Sequence, residues 1–261
     1  MLKFFRRIRK TLLAESKFSK YLVYAIGEII LVVIGIVIAL QLNEWNDDRK
    51  NKKLENEYYC RLLDDVLLDE EQIRDLRQLA EARLTASNAA ARLLLDNASE
   101  KADIADQIAL STRAIYSDFE PNNSAFEDLK SGANLNIIRD KSVIKNLNHY
   151  FNRFEELKSI IMINGTNGVN IFFAHQDYFA NGYARSSLRE GRLKIGLDDD
   201  LKEAIRSLDN DKLTSEMRSR LLNESLEFVG TNTRQIELYD LILEEVHEIK
   251  GVLERKCMDL L

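Results

Sequence analysis

The chain has 261 residues, and its 37 lysines and arginines are outnumbered by 43 aspartates and glutamates, which gives a formal net charge of −6. The acidic surplus lies in the long part that follows the N-terminal segment. It argues against a nucleic-acid ligand, because such binding needs lysine and arginine to neutralise phosphates. The whole chain holds one proline and ten glycines, and this shortage of helix breakers favours long helices.

Residues 1–19 form a basic amphipathic segment. Apolar residues recur there at helical spacing, and basic side chains occupy the positions between them: Lys3, Arg6, Arg7, Arg9 and Lys10. This pattern predicts a helix on an anionic membrane surface, where each nearby basic side chain contributes on the order of 1 kcal/mol. The alternative is a plain topology signal with no further role. Under the positive-inside rule, the basic flank predicts a cytoplasmic N-terminus.

Residues 20–45 are predicted to form a transmembrane helix. The apolar run from Tyr21 to Leu42 is long enough to cross a hydrocarbon core of about 30 Å, because a helix rises about 1.5 Å per residue. Tyr21 and Tyr24 at the near end and Trp45 at the far end are expected to anchor the helix at the two membrane interfaces. A cleaved signal peptide is the alternative, but the run exceeds the usual 7–15 apolar residues and a small-x-small cleavage site is missing.

One acidic residue, Glu28, interrupts the apolar run. At 100° per residue, one helix face holds this carboxyl together with apolar and small side chains: Glu28, Leu31, Val32, Gly35 and Ala39. Small residues let membrane helices approach closely, and a carboxyl can form a hydrogen bond across the contact, so the face predicts association with a second span. Two alternatives stay open, namely a carboxyl tolerated by bilayer deformation and a role in proton or ion transfer.

The remaining residues, 46–261, are predicted to form one exported all-helical domain. No glycine or proline occurs between Val37 and Glu120, and apolar residues recur at spacings of three and four. Breaks are expected at 96–99, at 118–123 around the single proline and at 181–197. The predicted fold is all-α: one N-terminal transmembrane helix that continues into an extended antiparallel helical bundle.

The chain has two cysteines, Cys60 near the start of the exported part and Cys257 near its end. An antiparallel bundle with an even number of long helices brings these two positions together. In an oxidising compartment they could form a disulfide that closes almost the whole domain. The alternative is a pair of buried free thiols.

Signatures of catalysis or of cofactor binding are missing from the sequence, so we expect a protein that is not an enzyme and that needs no cofactor. Glu244 and His247 have the spacing of half of a carboxylate-bridged metal site, but neither His149 nor His175 follows a glutamate by three residues. A solvated acidic helix face is the simpler interpretation, and no metal site is predicted. Gly165 and Gly168 form only a glycine pair, which is not a nucleotide-binding loop.

The N-terminal block resembles the signature of a family of single-pass membrane proteins from bacteria with two membranes, a family classed as a domain of unknown function. The resemblance rests on KFFRRIR at 3–9 and on KYLVYAIGEIILVVIGIVIALQLNEWN at 20–46. A second stretch, NSAFEDLKSG at 123–132 followed by LNII at 135–138, is also similar to a recurrent segment of that family. The resemblance implies an inner-membrane location and a helical periplasmic portion, and it implies no activity.

The leading functional hypothesis is a scaffold or interaction protein of the cell envelope. It would be membrane-anchored, would associate through its span with a second copy or with another envelope protein, and would carry a periplasmic helical domain. A sensory or regulatory module acting through a partner is the alternative, and a membrane hydrolase or metalloenzyme is a more distant one. Any small-molecule ligand stays open.

Overall fold

The computed structural model describes residues 18–115, 119–132, 134–174, 192–207 and 213–258. Within these ranges all regular structure is helical, which confirms the all-α prediction. The helices, numbered in chain order, are α1 (Phe18–Leu95), α2 (Lys101–Ser111), α3 (Ser124–Ser131), α4 (Lys141–Ala174), α5 (Arg192–Gly196), α6 (Asp199–Ser207) and α7 (Ser215–Met258), with one 3-10 turn (Asn134–Asn136). The chain divides into two compact units, Met1–Asn56 and Glu57–Leu261.

Helix α1 continues without a break from the apolar segment into the second unit and ends at Leu95. Its end agrees with the predicted break at 96–99. Ser99 does not cap the next helix: the N-cap position of α2 is Glu100, and the Ser99 hydroxyl donates to Asp96 Oδ2 over 3.0 Å. The Asp96 carboxylate also accepts the Ala98 N–H, so the loop is closed by a local turn that holds the pKa of Asp96 below its usual value.

Among the described residues of the second unit, four antiparallel elements form the bundle, and the short helices α5 and α6 also belong to this unit. The first is the part of α1 beyond residue 56, and the third and fourth are the long helices α4 and α7. The second is assembled from α2 and α3, which together return along α1: Ala105 packs in one buried cluster with Leu94, whereas Asp128 lies 2.8 Å from Arg61. The predicted bundle is therefore present, and two short helices form its second element.

The core of this unit is built from the apolar stripes that the sequence pattern predicted. Fully buried large side chains come from α1, α2, α4 and α7, among them Leu62, Ile73, Ile108, Tyr150, Phe154 and Phe228. Phe119 packs against both long helices α4 and α7, because its ring centroid lies 5.8 Å from that of Phe154 and 6.0 Å from that of Tyr239. Offset and edge-to-face aromatic pairs of this kind add about 0.5–1.5 kcal/mol beyond the area that they bury.

Gly168 lies where α4 passes close to the chain that follows α2. A Cβ atom at this position would come within 3.1 Å of Ile115 Cδ1, so the absent side chain permits the approach. The glycine pair does not break the helix, since α4 is continuous from Lys141 to Ala174. The predicted irregular stretch at 181–197 contains helix α5, and residues 181–191 of it lie outside the described residues.

Candidate functional site

The apolar half of α1 is the first candidate site. Its most apolar 18-residue window has a mean hydropathy of 2.6, and none of that window is buried inside the protein. In the second unit, most large apolar side chains that recur at helical spacing are buried. On the apolar segment of α1, large apolar side chains are exposed on all faces of the helix. One helix in the described part of the chain is thus long and apolar enough to cross a membrane, which is compatible with a single-pass anchor.

The predicted association face lies within this helix. Leu31 is 69% exposed and Val32 is 57% exposed, and Ala39 is exposed as well. Within the described residues, a Cβ atom added at Gly35 would meet no other atom within 4 Å, whereas Glu28 is half-buried. The side of the helix that carries Leu31, Val32, Gly35 and Ala39 is therefore open to a partner or to lipid.

The predicted interface residues are placed only in part. Trp45 lies in α1 and is 65% exposed. Tyr21 and Tyr24 also belong to α1, but their side chains lie outside the described part of the protein. The basic residues of the N-terminal segment lie outside the described residues altogether: Lys3, Arg6, Arg7, Arg9 and Lys10.

The two cysteines are joined in the structure. Cys60 of α1 and Cys257 of α7 form a disulfide with an S–S distance of 1.96 Å and a Cα–Cα distance of 5.0 Å, across 197 residues of sequence. The structure thus brings together the pair that the sequence analysis considered, and it leaves neither thiol free. The covalent loop includes almost all of the second unit.

Beyond the disulfide, a ladder of polar contacts fastens α1 to α7. Lys250 lies 2.8 Å from Glu70, and Arg77 lies 2.5 Å from Asp240. Lys250 and Arg74 hold the pKa of Glu70 below its usual value through hydrogen bonds. Residue numbers rise along α1 as they fall along α7, so these contacts record an antiparallel helix pair in a fixed register.

The next polar contact along this helix pair is made by a buried arginine, Arg83, which is 3% exposed. Its Nε donates to Asn232 Oδ1 over 2.9 Å and its Nη2 donates to Gln235 Oε1 over 2.6 Å. A third donor, Nη1, reaches the carbonyl oxygen of Arg113 at 3.5 Å. Burial lowers the pKa of the guanidinium, and the neighbouring Tyr239 hydroxyl opposes this effect. Among the described residues, the acceptors of this cation are all neutral groups.

The neutral acceptors belong to a wider network around the C-terminal end of α2. Asn232 Nδ2 donates to the carbonyl of Ser111 at 3.0 Å and to Ser87 Oγ at 3.1 Å. Gln235 Nε2 donates to the carbonyl of Ile115 at 3.0 Å. The last carbonyls of a helix lack partners within the helix and carry partial negative charge, so a nearby cation is favourable there. Side chains of α1 and α7 therefore cap α2 from outside.

A second polar site holds the segment that includes α3. Asp65 of α1 accepts the Ala125 N–H at 2.8 Å and the Ser124 hydroxyl at 3.0 Å, which places a carboxylate at the N-terminus of α3. Asn123 occupies the N-cap position of α3 but forms no side-chain capping bond. The capping group comes from another helix, which no local pattern could indicate.

Asp69, one turn further along α1, is completely buried. Its carboxylate accepts the backbone N–H of Asn122 at 2.7 Å and the hydroxyl of Tyr150 at 2.5 Å. Burial raises the pKa of Asp69, and these hydrogen bonds act against the rise. Burial next to this carboxylate also raises the pKa of Tyr150, so its hydroxyl stays a donor. The arrangement serves to hold the segment 122–125 against α1.

The sequence analysis missed Asp65, Asp69 and Arg83, although a signal was present. Asp69 and Arg83 occupy the same three-and-four spacing as the apolar residues Leu62, Val66, Ile73 and Ala80, so they stand at core positions of α1. Charged residues at core positions of an amphipathic helix are rarely buried without partners. The presence of Asp69 and Arg83 among the apolar core positions of α1 could therefore have predicted a buried polar network around each of them.

The histidines do not assemble a metal centre in the part of the chain that the structure describes. His149 Nε2 lies 3.4 Å from Glu245 Oε2, and His247 and Glu244 are exposed on α7. No group of three or more histidine, cysteine, aspartate or glutamate side chains suited to a metal ion is found among these residues. His175 lies outside the described residues.

Comparisons with known proteins give one assignment. No curated protein matches the chain, and no solved structure matches it. The model of a family of unknown function, DUF6090, matches residues 28–169, which is more than half of the chain. The match begins at Glu28 in the apolar helix. It includes Cys60, and it includes Asp65 and Asp69 together with the segment 122–125 that these two aspartates bind. The chain belongs to the family of unknown function DUF6090.

Proposed function

We propose that this protein is a membrane-anchored scaffold of the bacterial cell envelope, without enzymatic activity of its own. Residues 20–45 cross the inner membrane once, residues 1–19 stay in the cytoplasm, and residues 46–261 form a periplasmic helical domain. The span associates laterally with a second copy or with another envelope protein.

The single observation that carries this proposal is the uncovered apolar segment of α1. Its 18-residue window has a mean hydropathy of 2.6 with no part buried in the protein. Exposed contiguous apolar surface of this extent is rare on water-soluble proteins and marks a membrane or partner contact. Backbone groups inside a helix are satisfied within the helix, so such a segment can enter hydrocarbon without orphaned N–H or C=O groups.

Glu28 supports association through the span. An acidic residue near the centre of a membrane helix costs roughly 2.5–3.5 kcal/mol on insertion scales. A contact with a second helix reduces this cost, because the carboxyl leaves the lipid and can form a hydrogen bond across the contact. Gly35 and Ala39 lie on the same face and leave room for a neighbouring backbone.

Two further features support the orientation. The basic residues before the span outnumber the acidic ones, and positive flanks stay in the cytoplasm. The disulfide between Cys60 and Cys257 fits an oxidising compartment such as the periplasm, because cytosolic thiols are kept reduced.

The polar networks of the second unit support a structural role for that unit. The buried ionisable groups Asp69 and Arg83 use their donors and acceptors to hold backbone segments in place. A ladder of ion pairs and one disulfide fixes the register of α1 and α7. A rigid helical surface of this kind is suited to binding another protein.

The test is affinity purification of the C-terminally tagged full-length protein from gently solubilised membranes that were crosslinked beforehand. Three forms are compared: wild type, Glu28→Ala and Ile30→Ala, the last of which changes the opposite face of the same helix. We expect a homo-oligomer or a defined partner with wild type and Ile30→Ala, and its loss with Glu28→Ala. Bare monomer in all three forms, or equal recovery of the partner with Glu28→Ala, would overturn association through this face.

A further inference from the structure

A cavity of about 640 Å³ lies in the second unit, where α1 ends and where α2 and α7 begin. Small-molecule sites commonly have volumes of about 300–1,000 Å³, so the size fits a metabolite. The cavity is lined by the end of α1, by the loop that follows it and by the first turns of α2 and α7. One side of the cavity is apolar and the other carries charged residues, and each side limits the kind of ligand that could bind.

The apolar side is continuous with the core. Leu94 is 2% exposed and belongs to the buried cluster around Phe228, and the partly buried Leu213 and Leu222 pack against that cluster. All three leucines line the cavity. An aliphatic group placed there would leave water without displacing any polar contact of the protein.

The charged side holds two cations, Lys101 and Arg218, and one acidic residue, Glu100. Lys101 has no hydrogen bond or ion pair with another described residue. This separates it from Lys158, Lys250 and Lys256, which are each paired with a carboxylate. The hydroxyls of Ser215 and Ser219, which also line the cavity, likewise have no partner among the described residues.

Arg218 is held in place by one of its nitrogens. Nη1 donates to the carbonyl oxygens of Leu93, Leu94 and Asp96 at 3.2, 3.1 and 3.0 Å, and so caps the end of α1. The other edge of the guanidinium, formed by Nε and Nη2, has no acceptor among the described residues. A guanidinium edge of two parallel N–H groups matches the two oxygens of a carboxylate. Arg218 is thus a fixed side chain with two N–H donors left free by the described residues, and it lines the same cavity as the three leucines.

We propose that this cavity binds a small aliphatic carboxylate. The carboxylate would accept hydrogen bonds from the Nε–Nη2 edge of Arg218 and from Lys101, and its hydrocarbon chain would lie against Leu94, Leu213 and Leu222. This inference goes beyond the scaffold role and does not depend on association through the span.

The test uses the full-length, disulfide-bonded protein in detergent and measures thermal unfolding by circular dichroism. Hexanoate is the probe, and hexanamide, which is neutral and nearly the same size, is the matched ligand control. A ligand that binds only the folded state raises the melting temperature in a saturable way. We expect hexanoate to stabilise the protein across the millimolar range, and hexanamide to have little effect.

Variants then locate the site. Lys101→Gln is expected to weaken the apparent affinity for hexanoate by about tenfold, because it removes one charge-assisted hydrogen bond. Lys145→Gln, an exposed lysine on α4 outside the cavity, should bind as wild type does. Ser219→Ala provides a second variant in the cavity if Lys101→Gln fails to fold, with a smaller loss expected.

Three results would overturn the proposal: no stabilisation by hexanoate, equal stabilisation by hexanoate and hexanamide, or an unchanged affinity in Lys101→Gln. Because none of these readouts involves the span, failure here leaves the scaffold proposal untouched. Loss of crosslinking in Glu28→Ala likewise says nothing about the cavity.

Discussion

Arg83 in α1 donates its Nε–H to Oδ1 of Asn232 in α7 over 2.9 Å, and both side chains are buried. The acceptors of this cation are neutral oxygens, and one of them is the carbonyl of Arg113, just beyond the end of α2. A buried charge that lacks hydrogen-bonding partners costs several kcal/mol, so the network is stable only when it is complete. Three elements of the bundle are therefore fixed relative to one another by one side chain.

We predict that Arg83→Met destabilises the second unit by about 3 kcal/mol. The change leaves the acceptor oxygens of Asn232 and Gln235 and the carbonyl of Arg113 buried without that donor, and each orphaned group costs about 1–3 kcal/mol. Denaturant unfolding followed by circular dichroism measures the effect. Arg113→Met is the matched control, because the Arg113 side chain is exposed and should change stability by less than about 0.5 kcal/mol. Equal midpoints for the two variants would contradict the network.

A second prediction concerns the cap that α1 provides for α3. Asp65→Ala removes the acceptor of the Ala125 N–H and is expected to cost about 0.5–2 kcal/mol, the range measured for lost N-caps. Asp64→Ala changes the neighbouring, exposed aspartate and should be nearly neutral. Hydrogen exchange at the first amides of α3 should speed up only in Asp65→Ala. Unchanged exchange there would show that α3 does not depend on this carboxylate.

Glu224 on α7 gives a prediction about pH. Burial raises the pKa of this carboxyl to about 7, nearby Glu227 adds to the rise and Arg220 opposes it. In the unfolded chain the pKa is about 4.3. Between these two values the folded state keeps a proton that the unfolded state has lost, so stability falls as the pH rises from about 4.5 to 7 and is constant above that.

Glu224→Gln removes this titration. The variant should match wild type near pH 4.5 and exceed it above pH 7, by an amount of order 3 kcal/mol from the conversion of pKa shift to free energy. Denaturant unfolding at a series of pH values measures the difference. Glu248→Gln, an exposed position on the same helix, should leave the pH dependence unchanged. A constant difference between Glu224→Gln and wild type at all pH values would contradict the shifted pKa.

The disulfide gives a further prediction. A bridge that closes a loop of 197 residues restricts the unfolded chain, and the chain-entropy model assigns it about 5 kcal/mol. The double variant with Cys60→Ser and Cys257→Ser should therefore unfold at clearly lower denaturant concentration than the oxidised protein. The oxidised full-length protein should contain no reactive thiol after unfolding. A count of two free thiols in protein isolated from membranes under thiol-blocking conditions would refute the bridge.

Local patterns predicted much of the fold. The apolar stripe of α1 through Leu62, Val66 and Ile73 is buried as its spacing indicates, and the break after Leu95 falls where turn residues cluster. The role of Asp69 and Arg83 could not be predicted in the same way. Their partners, Tyr150 and Gln235, are 81 and 152 residues away in sequence, and only the tertiary structure brings them together. The cavity beside Arg218 also depends on the meeting of three helix ends.

The most direct test of the central claim places a photo-crosslinking amino acid at Ala39 or at Val37 in living cells. These positions lie about 160° apart on α1, at 100° per residue. We expect Ala39 to crosslink to protein and Val37 to crosslink to lipid, because one face of a membrane span would meet its partner and the other the bilayer. Lipid adducts at both positions would contradict association through the Glu28 face. Absence of lipid adducts at Val37 would contradict the membrane anchor itself.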